Sequence, residues 1–355
     1  MGKVFRVIDT GVRDARQQIA FDQALIDARA AGEIPDTIRF LRFPPSALVG
    51  RHQALAHEVK LDYCRRHGIG TARRITGGGA LYFDEGQLGW ELVFQRATLG
   101  IATLADLARV ICEAAAAGLS TLGVSARYRP RNDIEVDGRK IGGTGGFFEG
   151  DILFYQGTVL VDLDPHDMIA ALNVPQAKLV KRALDSPAQR VVTLKELLGA
   201  APTIAAVQEA LLGGFATHLG IEPVRGHITA AEEARAARLH DEEIGRDEFV
   251  AEIDDPDSGA DVLAGTHTGS GGTVTAYVRL DGARGERIRE VLLTGDYFVT
   301  PPRTIYDLEA ALRDVAVDEA EAAIAAFFER VPVGLLSVAP ADFSAAVKAA
   351  VSRAR

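Results

Sequence analysis

Arg73-Arg74-Ile75-Thr76-Gly77-Gly78-Gly79-Ala80-Leu81-Tyr82-Phe83-Asp84 is the stretch on which the reading of this chain turns. Two adjacent cations run into three glycines, then into an apolar segment, Ala80 to Phe83, that reads as a strand. Consecutive glycines reach backbone angles closed to other residues and let main-chain N–H groups approach a ligand. Such donors beside guanidinium groups make a site for a phosphate or a carboxylate. The same run also reads as a turn flanked by solvated arginines, so the decision rests on what lies either side.

Upstream, Val4 to Ile8 reads as a strand and Arg13 to Arg29 as a helix with Phe21, Leu25 and Ala28 on one face. Thr37 to Phe43 is a further strand, broken by Pro44-Pro45. Ala47-Leu48-Val49-Gly50-Arg51-His52-Gln53 is a short apolar strand ending in polar residues, either a site-facing strand end or a solvated turn. Leu61 to His67 reads as a short helix.

Downstream, Gly89 to Phe94 reads as a strand and Ala102 to Ala117 as an amphipathic helix, with Cys112 a buried thiol beside its apolar face. A second glycine-bearing stretch follows, Arg131-Asn132-Asp133-Ile134-Glu135-Val136-Asp137-Gly138-Arg139-Lys140-Ile141-Gly142-Gly143-Thr144-Gly145-Gly146. Asp137-Gly138 is a hairpin turn signal, so Lys140 and Ile141 open the return strand. Ile152 to Val161 is another strand, containing Gly157-Thr158. Helices near His166 to Leu172 and Thr193 to Leu198 flank a basic segment, Lys178 to Arg182.

Many short strands with turns and a few helices predict an α+β fold with a mixed, largely antiparallel sheet. Composition shifts near Gly226, which predicts a catalytic domain over residues 1–228 and an acidic helical linker over 229–248. A small α+β accessory domain is expected over 249–355. Within it Asp254 to Gly272 reads as loop, Thr273 to Leu280 as a half-buried strand, and Arg287 to Leu293 as its return. Thr304 and Asp307 read as a capping box opening a helix, with later helices marked by Ile324, Phe327 and Phe328 and by Phe343, Val347 and Val351.

The 355 residues carry a net charge of −10, which argues against a duplex nucleic-acid partner. Two cysteines, Cys64 and Cys112, supply neither a disulfide framework nor a metal site. No secretory leader and no membrane-spanning apolar run is seen, so a soluble cytoplasmic protein is expected. P-loop, Gly-x-Gly-x-x-Gly and Gly-x-Ser-x-Gly signatures in their required contexts are missing, as are metal-spaced histidines. By type and spacing, Lys140 reads equally as an edge-strand cation and as a group that neutralises a carboxylate and a phosphate brought together. Asp133 reads equally as a turn residue and as a Mg²⁺ ligand facing phosphate oxygens.

The arginine–glycine stretch resembles the Arg-Arg-x-Ser/Thr-Gly-Gly-Gly signature of the lipoate–protein ligase A family. Leu48 to Gln53 is similar to that family's Gly-Arg-x-Gln strand, and Asn132 to Ile141 to its catalytic-lysine stretch. Gly157-Thr158 matches its His-Gly-Thr, and the resemblance covers the chain to about Val192. More weakly, Leu293 to Phe298 and Ile305 to Leu312 resemble the accessory domain of bacterial ligases. The resemblance implies that lipoate and MgATP give lipoyl-AMP, from which a lysine of an acceptor protein takes the acyl group. Lipoyl domains, H-protein-like carriers and lipoate-binding proteins are the acceptors it implies.

Lys140 is then the catalytic residue, with Asp133 near Mg²⁺ or the adenylate. Arg51, Arg73, Arg74, Gly77, Gly78, Gly79, Ala80, Asn132, Ile141, Gly143, Thr144, Gly157 and Thr158 line the acyl-adenylate pocket. Phe83 stands where the family usually has His, Gln156 where His precedes Gly-Thr, and Gly143-Thr144-Gly145 in place of Gly-Ser-Ala, which marks a divergent branch. Octanoyl- and lipoyl-transferases share the fold but use a cysteine, expected near Arg127 to Arg131, where this chain has none. Biotin ligase has a related fold, but the arginine–glycine form is lipoate-like, and a chain opening on its first strand leaves no room for a DNA-binding leader. A non-catalytic carrier-docking module is the remaining alternative.

Overall fold

Phe5, Val7 and Ile8 are buried along the first strand, and the chain builds outward from them. The computed structural model describes residues 3–173, 190–259, 261–282 and 285–352. The basic segment Lys178 to Arg182 lies outside the described residues. Strand β1 (Lys3–Val12) leads into helix α1 (Ala15–Ala30), whose start is fixed by Asp14 accepting from the Arg16 N–H. β2 (Thr37–Arg42), β3 (Ser46–Val49), β4 (Gly70–Arg73), β5 (Leu81–Phe83) and β6 (Gln87–Gln95) follow. Helix α2 (Leu104–Ser120) begins two residues later than the hydrophobic pattern alone suggests, because the Thr103 hydroxyl accepts from the Asp106 N–H and caps it.

β7 (Arg127–Arg129), β8 (Asp133–Val136), β9 (Arg139–Glu149) and β10 (Ile152–Leu160) form a meander. With helix α3 (Ile204–Leu219) and β11 (Ile221–Arg225) they complete an eight-stranded sheet, ordered β11-β1-β2-β6-β10-β9-β8-β7. β1 runs parallel to β2 and β11, and the other pairings are antiparallel, so the sheet is mixed within an α+β fold. Helices α2 and α3 cover one face, where Leu107, Ile111, Leu211 and Phe215 join Trp90, Leu92 and Tyr155 in one core. Each such buried side chain contributes about 1.5–3 kcal/mol. A small sheet, β4-β3-β5, carries the arginine–glycine stretch beside it.

The stretch expected as an acidic helical linker carries helix α4 (Ala230–Leu239), closed by a capping box between Thr229 and Glu232. It packs on α1: Ala236 and Ile244 enter the core around Ile19 and Phe21. Its charges are met by Arg6, which pairs with Glu232, and Arg13, which pairs with Glu233 at 2.7 Å. Beyond it, β12 (Leu263–Thr268), β13 (Thr273–Asp281) and β14 (Arg287–Gly295) form an antiparallel sheet. β12 corrects the expected loop; after Leu263 its side chains are Ala, Gly, Thr and His, so no apolar alternation marks it. β15 (Val299–Thr300), helix α5 (Thr304–Ala311), helix α6 (Ala320–Arg330), β16 (Gly334–Leu335) and helix α7 (Pro340–Val351) complete a second core around Tyr297, Ile305, Ile324 and Phe343. The capping box expected at α5 is absent: Thr304 is buried inside the helix, and Asp307 pairs with Arg303.

Candidate functional site

The Asp137-Gly138 hairpin forms as its sequence requires, with φ of +49° and +80°. A β-bulge follows: Asp133 pairs with Gly143 but Glu135 with Lys140, leaving one extra residue in β9. The bulge brings Lys140 onto the face of Asp133 and Gly143, where simple alternation would turn it away. Lys140 Nζ lies 2.8 Å from Asp133 Oδ1, and Arg129 lies 2.6 Å from Asp133 Oδ2. Burial pushes the Asp133 carboxyl up, but Lys140 and Arg129 outweigh it and hold it at about 2. Both oxygens of Asp133 therefore already meet cations. Asp133, expected as a metal ligand, is here the ion-pair partner of Lys140 and Arg129.

Around this pair, the Gly143 N–H donates to Thr158 Oγ1 at 3.2 Å, and Gly157 packs against Trp90. Asn132 Nδ2 donates to the Thr144 carbonyl at 2.8 Å, and the Thr144 hydroxyl reaches Tyr155 at 2.7 Å and Cys112 at 3.2 Å. Thr144 is thus turned into the sheet, and Ile141 is a core residue rather than a pocket wall. Gln156 Nε2 donates to Thr76 Oγ1 at 2.6 Å, joining β10 to the glycine loop. Lys140, Asp133, Gly143 and Thr158 therefore form one patch, and Gln156 ties its strand to the other motif.

The two arginines behave differently from their expected role. Arg73 is fully buried, and its guanidinium donates to the carbonyls of Gly50, Arg51, Gln53, Phe249, Val250 and Ile253. Arg74 donates to the carbonyls of Leu48, Gly77 and Gly79 and to Thr76 Oγ1. Burial pulls both guanidinium groups down to about 10, still charged at neutral pH. They hold the main chain of the loop and of the segment after α4. Arg51 pairs with Glu252 and stacks over Phe249 and Tyr306. Its surface cavity, about 490 Å³, is lined by Glu242, Glu243, Glu248 and Glu252 against Arg246 and Arg51 itself, an acidic excess that disfavours an anion there. His52 is buried and kept neutral, pulled down to about 3 by burial and by Arg51 and Arg73.

Gly77 and Gly78 lie under residues 297 and 298, and Gly78 has a φ of +89°. Its N–H donates to the Tyr297 carbonyl at 3.0 Å. Gly79 gives its carbonyl to Arg74, and Ala80 packs beside Val49 and Tyr82 in a small satellite core. Phe83 packs on Phe43, with ring centroids 4.7 Å apart, so the position where His was expected is part of the core. Arg129 meets Asp133 across the tight β7–β8 hairpin, a local pairing, whereas Phe298 on the loop depends on a long-range crossing with no local pattern. Cys112 is buried, and burial pushes its thiol up to about 11. Cys64 is buried in the satellite core, its thiol likewise raised by burial. Among the described residues no helix is long and apolar enough to cross a membrane.

The octanoyltransferase LipM of Kyrpidia tusciae is 29% identical over 261 residues, 67% of this chain and 95% of the relative. Lipoate-protein ligase A subunit 1 of Thermoplasma acidophilum is 30% identical over 246 residues, 66% of this chain and 92% of the relative. The solved bi-partite lipoate protein ligase of T. acidophilum, described with its E2 lipoyl domain, superposes with a TM-score of 0.62 at 28% identity, covering 70% of this chain and 97% of that one. A lipoate-protein ligase A bound with ATP gives a TM-score of 0.62 at 27% identity, covering 70% and 99%. The family model for the lipoyl protein ligase A/B catalytic domain matches residues 14–216, and the chain belongs to that family.

Proposed function

We propose that this protein is an ATP-dependent lipoate–protein ligase. The lipoate carboxylate attacks the α-phosphorus of ATP, the bond to the β-phosphate oxygen breaks, and lipoyl-AMP and pyrophosphate form. An acceptor lysine amine then attacks the acyl carbon, the C–O bond to AMP breaks, and the amine loses a proton as the amide forms. Carboxylate and polyphosphate repel each other, and the Lys140 ammonium, held by Asp133 at 2.8 Å, is placed to offset that repulsion. The same charge favours the oxyanion that develops during transfer. Residues 1–228 carry this chemistry, and 249–355 act as an accessory domain joined through 229–248. A lipoyl domain is the acceptor this reading favours, since a related ligase is described with one.

The observation that carries the ligase reading over a transferase is the state of the thiols. An octanoyltransferase using a cysteine nucleophile needs an accessible thiolate. Both cysteines of the chain are buried and both thiols are raised by burial. The test is a protein carrying Cys64→Ser and Cys112→Ser, given lipoate, MgATP and a lipoyl domain, with product read by mass spectrometry. ATP-dependent lipoylation within a few-fold of the parent protein is the expected result. Transfer that needs no ATP, runs from an octanoyl-carrier donor and vanishes without the cysteines supports the transferase instead.

A further inference from the structure

The segment 295–300 crosses the first unit and is tied to it at three places. The Gly295 N–H donates to the His52 carbonyl at 2.9 Å, in the turn beyond β3. The Tyr297 carbonyl accepts from the Gly78 N–H at 3.0 Å, in the glycine loop. Thr300 Oγ1 accepts from the Phe148 N–H at 2.7 Å and donates to the Phe148 carbonyl at 3.0 Å, on β9. The crossing is therefore a strap over the gap between the two glycine-bearing motifs.

Phe298 sits in that gap. It is only 8% exposed, yet it has no place in the hydrophobic core of the second unit, which Tyr297 joins. Its ring rests on bare glycine instead. A Cβ on Gly145 would overlap the ring, and one on Gly78 would stand 2.5 Å from Cζ. The ring thus covers main chain from both motifs at once. An oxygen acceptor on a loop N–H, next to an apolar body lying on glycine, is also the pairing that an acyl group presents: a carboxyl or carbonyl oxygen beside an apolar chain.

We infer that Tyr297 and Phe298 are a built-in stand-in for the acyl group, so that strap docking and acyl binding exclude each other. The inference rests on the acyl-site reading above and adds its regulation. Two groups cannot occupy one close-packed surface, so the acyl chain enters only when the strap lifts. The apparent dissociation constant is then the intrinsic one divided by the fraction of molecules with the strap lifted. Because Phe298 lies outside the second core, shortening it leaves that core intact. Thr300 offers a second handle, since its hydroxyl anchors the strap away from the glycine surface.

The test titrates lipoate into the full-length parent protein, Phe298→Ala and Thr300→Val by calorimetry, with hydrogen exchange recorded at residues 76–79 and 295–300. A strap docked in nine molecules of ten predicts about tenfold tighter binding when it is released. Both variants are expected to bind lipoate more tightly, and in the parent protein lipoate speeds exchange at 295–300 while slowing it at 76–79. If lipoate binds the parent and both variants lose affinity, or if it protects 295–300, the strap is a lid over the ligand and the inference is overturned, while the ligase reading stands. If none of the three proteins binds lipoate, the acyl-site reading falls and the inference falls with it.

Discussion

The two motif regions look alike as sequence and differ in what their cations do. Arg73 and Arg74 stand before three glycines; Lys140 stands before a second glycine run. Arg73 has no exposed surface and spends its donors on six named carbonyls, whereas 30% of the Lys140 side chain is open and its partner is a carboxylate. A guanidinium has a fixed fork of five N–H groups, which suits it to gather converging carbonyls. An ammonium is a compact point charge that can turn from one anion to another. A cation beside glycines therefore marks a place where main chain is crowded, and only the partners decide whether the charge serves the chain or a ligand.

The largest effect is expected at Arg73. Arg73→Met leaves buried carbonyls unpaired and releases the segment from Phe249 to Ile253, lowering unfolding free energy by about 3 kcal/mol or more. Denaturant unfolding checks this; unchanged stability with lost nucleotide binding would move Arg73 to the ligand side of the comparison. Lys140→Met keeps the stem and deletes the charge. It is expected to slow adenylation and transfer by about 10²–10³ each, the cost of one preorganised charge donor, in a protein that still folds but unfolds at a lower midpoint, because Asp133 loses one of its two cations. Single-turnover assays of the two half-reactions separate these outcomes.

Asp133 sharpens the contrast through pH. Its folded carboxyl is held at about 2, below the usual value near 4, so the stability it contributes is complete above about pH 4. That contribution is lost as pH falls towards 2, and Asp133→Asn is expected to abolish this part of the acid-unfolding slope. The smallest effect is expected at Gln156, whose 2.6 Å bond to Thr76 ties the regions together. Gln156→Leu is expected to cost about 1 kcal/mol, and a cost near zero means the two motifs are held by other contacts.

What was legible in the sequence was local. The Asp137-Gly138 turn, the buried face of α2 and the alternation of β13 each follow from neighbouring residues, and each is present. The mixed α+β sheet followed from strands and helices counted along the chain. The interior role of Arg73 was not legible, because half its carbonyl partners lie more than 170 residues away. The bulge that re-aims Lys140 left no mark on the pattern of β8 or β9. β12 reads as loop because threonines bonded across the sheet, such as Thr266 with Thr275, look like turn residues in isolation.

Lipoate-dependent ATP–pyrophosphate exchange, run on the parent protein and on Lys140→Met, tests the central claim most directly. The account predicts exchange in the parent protein that requires lipoate, and a loss of about 10²–10³ in a variant that is still folded at the assay temperature. No exchange in the parent protein, or exchange at the parent rate in Lys140→Met, would contradict it.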